Sequence, residues 1–305
     1  VSDANEFGVG PVTDSNIAAN TVIENAASGT IVGTTAFATD ADVTNNAITY
    51  SLDDDAGGRF AIDATTGVIT VANGSLLDAE TAASHSILVR ATSADGSFST
   101  QTFTIGITDV NEFAASAIGD ADSAANAIVE NAANGAIVGI TATAGDADAT
   151  NNAITYSLDD DAGGRFAIDA VSGQVTVANG TLLDREAAAS HSITARATSS
   201  DGSFSTQSFT IAVIDANEFS VGPIADSDAA ANGVLEGASN GTSVGITISA
   251  SDGDATDNAV AYSLDDNAGG RFAIDATTGV ITVANGSLLD AETAASHDIL
   301  VRATS

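Results

Sequence analysis

Four acidic features return at a fixed phase along the 305 residues. The first is a glutamate in an apolar run: Glu24 in VIEN, Glu130 in IVEN and Glu236 in VLEG. The second is Asp-x-Asp: Asp40 and Asp42, Asp146 and Asp148, Asp252 and Asp254. The third follows a leucine pair: Asp78 and Glu80, Asp184 and Glu186, Asp290 and Glu292. The fourth closes a strand-like run: Asp3, Asn5 and Glu6; Asp109, Asn111 and Glu112; Asp215, Asn217 and Glu218. Members of each set stand 106 residues apart. Carboxylate, amide and carbonyl oxygens are hard ligands, and Ca2+ takes about 6–8 of them. No single short motif supplies so many, but several motifs converging at one end of a domain can. The chain has no cysteine and only three histidines, which argues against zinc and other soft-metal chemistry.

Composition narrows the partners. A net charge of −34 with seven basic residues, all arginine, excludes nucleic acid, since phosphate neutralisation needs Lys and Arg. A polybasic membrane anchor is absent for the same reason, and no run approaches the ~18–20 apolar residues of a membrane span. The sequence contains no methionine, so it is read as an internal segment of a longer chain.

The elements that must position these acids are strands. Residues 20–25 and 29–40 read as two strands broken by AASG. Ile48, Tyr50 and Leu52 alternate onto one face, as do Ile87, Val89 and Ala91, then Phe103, Ile105 and Ile107. Residues 59–63 and 67–73 flank ATTG as a hairpin, with Gly67 suited to positive φ. About seven strands in roughly 100 residues make an all-β fold of tandem seven-stranded Greek-key β-sandwiches, immunoglobulin-like in architecture. Large apolar side chains are few, so each sandwich is expected to be only modestly stable alone. The repeats divide the chain into residues 1–7 (the end of a preceding repeat and its linker), 8–112, 113–218 and 219–305. The last of these lacks its final strand. A less favoured reading has a strand from another molecule completing that sandwich.

The order and spacing of the four acidic features resemble those of a cadherin repeat, and the likeness covers all three units. It is similar in particular to bacterial cadherin-like repeats of very large secreted or surface proteins, in AGGRFAIDATTGVITV and in ATSADGSFSTQTF. The resemblance implies Ca2+ at each junction between repeats. At the first junction it implies Glu24, Asp78 and Glu80, then Asp109, Asn111 and Glu112 from the linker, then Asp146, Asp148 and the Asn151 carbonyl. The same roles fall to Glu130, Asp184, Glu186, Asp215, Asn217, Glu218, Asp252 and Asp254 at the second. Asp3, Asn5, Glu6, Asp40 and Asp42 belong to a junction with a preceding repeat. Glu236, Asp290 and Glu292 face a following one.

Three departures mark this chain as a variant. The family's linker Asp-Asn pair is Glu112-Phe113 here. Asp95 and Asp201 stand about two residues beyond the place of a further family ligand. Asp257 replaces Asn45 and Asn151 of the other repeats. Clustered like charges at ~4 Å repel by about 4 kcal/mol at an effective dielectric of 20, so the junctions are expected to be flexible without Ca2+ and rod-like with it.

Other recurring residues carry less. Asp14, Asp120 and Asp226, in the loop before each first strand, are read as Asx turns, with an extra calcium site as the alternative. His85, His191 and His297 recur in every repeat and are read as structural, so the chain is not read as an enzyme. Arg59, Arg165 and Arg271 are expected to bridge the neighbouring acids. Ala56–His85 and Ala268–His297 are identical, as suits an interchangeable spacer. The function read from the sequence is a calcium-rigidified extender or filament segment of an extracellular protein, secreted or at the cell surface. Its partners are further repeats of the same chain. The alternative is a calcium-dependent adhesion module that binds polysaccharide or like domains.

Overall fold

The computed structural model describes residues 4–305. Eight strands form the first repeat: β1 (Thr13–Asp14), β2 (Thr21–Ile23), β3 (Ile31–Phe37), β4 (Ile48–Asp54), β5 (Phe60–Ile62), β6 (Val68–Val71), β7 (Ser84–Ser93) and β8 (Phe98–Thr108). They make two four-stranded sheets, ordered β1-β3-β6-β5 and β2-β8-β7-β4. The expected strand at residues 20–25 is β2, and the loop before it, read as turns, contributes the short β1 to the opposite sheet. Between the sheets Val32, Phe60 and Ile69 of one pack with Val22, Ile87, Val89 and Ile105 of the other. The period-2 alternation in β7 and β8 therefore points into the core.

Two pairings position the acids. β7 and β8 run antiparallel from Ser84 opposite Gly106 to Thr92 opposite Phe98. β2 runs parallel to β8, with Ile23 opposite Thr108. Glu24, one residue past β2, and Asp109, one residue past β8, thus emerge side by side at one end of the sandwich. The Glu24 amide donates to the Thr108 carbonyl at 3.0 Å. Two glycines permit close backbone approach. Gly67 lies at φ +71° in the hairpin, and a Cβ on Gly74 would collide with the Ala26 carbonyl. A short 3-10 turn at Gly74–Leu76, capped by Asn73, then leads into Asp78.

The middle repeat has β9 (Gly119–Asp120), β10 (Ala127–Val129), β11 (Ile137–Thr143), β12 (Ile154–Asp160), β13 (Phe166–Ile168), β14 (Gln174–Val177), β15 (Ser190–Ser199) and β16 (Phe204–Ile214). Its sheets are ordered β13-β14-β11-β9 and β10-β16-β15-β12. The third repeat has β17 (Ala225–Asp226), β18 (Ser243–Ser249), β19 (Ala261–Asp266), β20 (Phe272–Ile274), β21 (Val280–Val283) and β22 (Leu300–Thr304). One sheet is complete, β17-β18-β21-β20, and the other holds only β19 and β22. Residues around Val234 are not a strand, because the 305 residues stop short of a counterpart of β8 with which they would pair. A groove of about 460 Å³ remains there, lined by Val234, Ile246, Phe272, Ile281, Leu289 and Ile299.

The chain forms two compact units. The first runs to Gly119 and adds Thr143–Tyr156 and Arg196–Gln207. The second comprises Asp120–Ala142, Ser157–Ala195 and Ser208–Ser305. The first unit therefore carries the first sandwich, its linker and the adjoining end of the middle repeat. The second carries the next linker with the residues on either side of it.

Candidate metal centres

In the first unit Glu24 is the anchor. It is 2% exposed. Its Oε2 accepts from the Ala79 amide at 2.8 Å and its Oε1 from the Val110 amide at 2.6 Å. One buried carboxylate thus holds the leucine-pair motif and the linker together. Glu80 Oε1 accepts from the Ala149 amide at 2.8 Å. Asp109 Oδ2 accepts from the Thr150 amide at 2.9 Å and from the Thr150 hydroxyl. Glu24, Glu80, Asp109 and Glu112 each offer one oxygen, all within 4.8 Å of one another.

A second set lies beside the Asp-x-Asp turn. Asp148, 1% exposed, accepts from the Glu112 and Phe113 amides through Oδ1, at 3.0 and 3.2 Å. Asp146, Asp148 and Asp201 offer oxygens within the same 4.8 Å limit. Asn111 Nδ2 donates to Asp201 Oδ2 at 2.9 Å. Asp201 thus joins the set despite its offset in sequence, because the turn after β15 folds it back over the linker. The Asn151 carbonyl accepts from Ser199 Oγ at 3.0 Å. Asp78 stands outside the four-acid set, with Oδ1 and Oδ2 accepting from the Thr81 amide and hydroxyl at 3.0 and 2.8 Å.

The start of the chain repeats the second arrangement. Asp42 accepts from the Glu6 amide at 3.1 Å, and Asp40, Asp42 and Asp95 gather. Asn5 bonds Asp95. Asp3 lies outside the described residues.

In the second unit Glu130 bonds the Arg185 and Ala216 amides at 2.7 and 2.8 Å. Glu130, Glu186, Asp215 and Glu218 gather. Glu186 Oε1 accepts from the Ala255 amide at 2.8 Å. Asp215 accepts from the Thr256 amide at 2.7 Å and from its hydroxyl. Asp254 Oδ1 accepts from the Glu218 and Phe219 amides at 3.1 and 3.2 Å, and Asp252 Oδ1 accepts from the Asp254 amide at 3.3 Å. Asp184 accepts from the Ala187 amide at 2.8 Å. Asn217, next to Glu218 in the linker, is exposed. Glu236, Asp290 and Glu292 form an exposed group.

Crowded carboxylates shift one another. Desolvation, then the charges of Glu24, Glu80, Asp148 and Asp109, raise the Glu112 carboxyl. Desolvation, then Glu130, Glu186 and Asp254, push Glu218 up to about 7. The Thr150 hydroxyl bond holds Asp109 low, as Thr256 does for Asp215. Each set thus mixes acids poised to protonate with acids held charged.

The donor set fits a hard divalent cation. Among the described residues, the buried oxygens without a hydrogen-bond partner include Asp109 Oδ1, Asp146 Oδ2 and Asp148 Oδ2 in the first unit. Asp215 Oδ1, Asp252 Oδ2 and Asp254 Oδ2 repeat them in the second. Buried anionic oxygens are costly unless compensated. Their recurrence on the same acids at two places points to cation ligands and argues against random strain.

The other recurring residues have structural roles. Asp14 Oδ1 accepts from the Asn16 and Thr35 amides at 2.9 and 3.0 Å, which is an Asx turn pinned to β3. Arg59 does not bridge the acids beside it. It donates to the Leu76 and Ala56 carbonyls at 2.9 and 2.7 Å, because Ala56 at φ +57° turns its carbonyl toward the guanidinium. Arg165 and Arg271 do the same. The arginine–aspartate pairs lie elsewhere, as Arg90 with Asp53 at 2.6 Å and Arg302 with Asp265 at 2.8 Å.

A family model described as "Cadherin domain" matches residues 19–108 and 125–214, which include Glu24, Glu80, Glu130, Asp146, Asp148 and Glu186. The chain belongs to the cadherin family. Protocadherin Fat 1 of Homo sapiens is 31% identical over 311 residues, covering all of this chain and 6% of that protein. Protocadherin Fat 4 of Mus musculus is 33% identical over 261 residues, covering 81% of the chain and 5% of that protein. The chain thus spans about a twentieth of these relatives. The crystal structure of mouse cadherin-23 EC22-24 superposes with a TM-score of 0.65 at 27% identity, covering 93% of this chain and 89% of that one. The fold is that of tandem cadherin β-sandwiches, and cadherin repeats are extracellular modules of calcium-dependent adhesion and extension. No helix among the described residues is long and apolar enough to cross a membrane.

Proposed function

We propose that the chain is a calcium-stiffened extender, a run of cadherin repeats in a long extracellular protein, secreted or held at a cell surface. The bacterial surface-protein setting implied by the sequence resemblance is part of this proposal, as are repeat boundaries at 8–112, 113–218 and 219–305. Glu24, Glu80, Asp109 and Glu112 would hold Ca2+ in the first unit, together with Asp146, Asp148, Asp201 and Asn111. Glu130, Glu186, Asp215, Glu218, Asp252 and Asp254 would do so in the second. Bound Ca2+ supplies the positive charge that joins carboxylates which otherwise repel. The protein's part is to anchor the linker. Glu24 and Asp148 grip its amides from either side, so the acids arrive already placed.

The observation that carries this reading is the buried, unpartnered Oδ2 of Asp148, repeated at Asp254. Calorimetric titration with Ca2+, paired with small-angle scattering, tests it. Saturable binding and a larger maximum dimension in calcium than in chelator are expected. An unchanged maximum dimension overturns the stiffening role.

A further inference from the structure

Six Asn-Gly steps lie in the chain, beginning at residues 73, 134, 179, 232, 240 and 285. Such a step can close on itself, because glycine carries no Cβ to shield its own amide nitrogen from the asparagine side chain. The glycine nitrogen attacks the asparagine Cγ, the side-chain nitrogen leaves as ammonia with the displaced proton, and a succinimide ring remains. Water then opens the ring to aspartate or isoaspartate. Asn73, Asn179 and Asn285 cap the three 3-10 turns, and all three are primed alike. Asn73 Oδ1 accepts from the Ser75 amide and hydroxyl at 3.1 and 2.8 Å. Asn179 Oδ1 accepts from Thr181 at 3.2 and 2.8 Å, and Asn285 Oδ1 from Ser287 at 3.1 and 2.7 Å. These donors face the oxygen on which negative charge develops during the attack. The nucleophiles differ. The Gly180 amide donates to Asn134 Oδ1 at 2.9 Å, and the Gly286 amide to Asn240 Oδ1 at 3.0 Å. Position 28, the counterpart of 134 and 240, is serine. Its hydroxyl donates to the Ala72 carbonyl at 2.7 Å, and among the described residues no acceptor is bonded to the Gly74 amide. Gly74 is buried, and a buried amide without a partner is rare. At the other three steps the glycine amide is also taken, Gly135 by the Val177 carbonyl at 2.7 Å, Gly233 by Val244 at 2.9 Å and Gly241 by Val283 at 2.8 Å.

We propose that Asn73 is the residue at which the folded chain deamidates, and that Asn134 and Asn240 protect Asn179 and Asn285 by holding the attacking nitrogen. Ring closure requires rotation about ψ of the asparagine, which stands at 102°, 98° and 98° in the three caps. That rotation swings the glycine N–H. It breaks the bond to Asn134 or Asn240, whereas at Gly74 it breaks none. Tight packing does not distinguish the three sites, since a Cβ on Gly74, Gly180 or Gly286 would collide with the carbonyl of Ala26, Ala132 or Ala238. Local sequence does not distinguish Asn73 from Asn285, because both lie within the stretch shared by Ala56–His85 and Ala268–His297. The product has structural weight. Isoaspartate adds a methylene to the main chain at the cap, just ahead of the fully buried Leu77 and of Ala79, whose amide donates to Glu24. Conversion at Asn73 therefore loosens the seat of the leucine-pair motif while its counterparts stay intact.

Incubating the full chain at mildly alkaline pH tests the proposal, with peptide mass spectrometry after cleavage at arginine. The mass gain of amide-to-acid conversion and labelling by an isoaspartate-specific methyltransferase read each site. In the folded chain Asn73 is expected to convert roughly five-fold faster than Asn179, the factor that one hydrogen bond of ordinary net strength represents. Asn179 is the stricter comparison, because one sheet of the third repeat holds only β19 and β22. In denaturant the three caps should convert alike. A difference of the same size there would assign it to sequence and overturn the proposal. Ser28→Asn supplies the missing acceptor and should slow Asn73 to the rate of Asn179. Asn134→Ser removes the acceptor and should speed Asn179 to the rate of Asn73, whereas Asn134→Asp keeps it and should leave Asn179 slow. Asn73 converting no faster than Asn179 in the folded chain, or indifferent to Ser28→Asn, overturns the proposal. So does equal acceleration of Asn179 by Asn134→Ser and Asn134→Asp, which would mean that the turn had simply loosened.

Discussion

The Glu112 amide donates to Asp148 Oδ1 at 3.0 Å, while Asp148 Oδ2 is buried without a partner. One oxygen holds the linker and the other is left without a donor. The charge of Asp148 also helps to raise the Glu112 carboxyl.

Asp148→Asn should therefore change sign with conditions. An asparagine keeps an acceptor for the linker amides but removes one negative charge from the set. In chelator, relief of repulsion should leave stability unchanged or slightly raised. In calcium a charged ligand is lost, so the rise in melting temperature on adding calcium should shrink. Differential scanning calorimetry in both buffers reads this. Equal destabilisation in the two would mean that Asp148 is only a linker anchor.

The second unit makes a pH prediction. Glu218 is pushed up to about 7 by desolvation and by Glu130, Glu186 and Asp254. Its folded value lies above the unfolded one, so its contribution to stability is fully present below ~4.3 and is lost as pH rises through about 7. In chelator, the second unit should loosen as pH rises across that window. Calcium binding displaces the proton, so apparent affinity should climb up to pH about 7 and then level off. Glu218→Gln should abolish both slopes, as measured by calorimetric titration across the window.

Most of this arrangement was legible because alternation and phase are local. Ile87, Val89 and Ala91 alternate in sequence and are buried together. Acids that recur every 106 residues announce themselves without a structure. What sequence could not give was partnership across space. Asp201 looked out of register when counted along the chain, yet its bond to Asn111 puts it in the set. Arg59 sits among aspartates, but the left-handed Ala56 offers a carbonyl instead. The two-residue β1 is too short to show a period. The residues around Val234 match β2 in composition and still form no strand, since pairing with a neighbour makes a strand and composition alone does not.

His191 gives a prediction of the opposite sign to Glu218. Burial, then the charge of Arg165, lower its pKa, and the ring lies 6.4 Å from that of Phe166. Its folded value lies below the unfolded ~6.5, so the stability it contributes is present above ~6.5 and is lost as pH falls. Protonation should loosen the middle sandwich irrespective of calcium. His191→Gln should flatten the fall in melting temperature below pH ~6.5. A fall that persists in this variant would assign the acid sensitivity to the carboxylates instead.

The groove of the third repeat makes the last prediction. Glu236 is exposed there, whereas Glu24 is 2% exposed under the linker that follows β8. In the first repeat that slot is filled by β8, which buries Ile105 and Ile107 and partly buries Phe103. Ser305 corresponds to Ser93, and the residues lining the groove repeat those of the first repeat almost without change. Appending the sequence of residues 94–110 after Ser305 should therefore supply a strand antiparallel to β22. The residues around Val234 should then pair with it in parallel, as β2 does with β8. Burying one phenylalanine and two isoleucines at ~1.5–3 kcal/mol each should stabilise the third sandwich by on the order of 5 kcal/mol. Hydrogen exchange should slow at Val244, Ile246 and Ile299, and the added linker amide should bond Glu236 as Val110 bonds Glu24. The same extension with the counterparts of Phe103 and Ile105 changed to serine should fail. If both extensions protect equally, general ordering of the chain end accounts for the effect and the groove is not a strand acceptor.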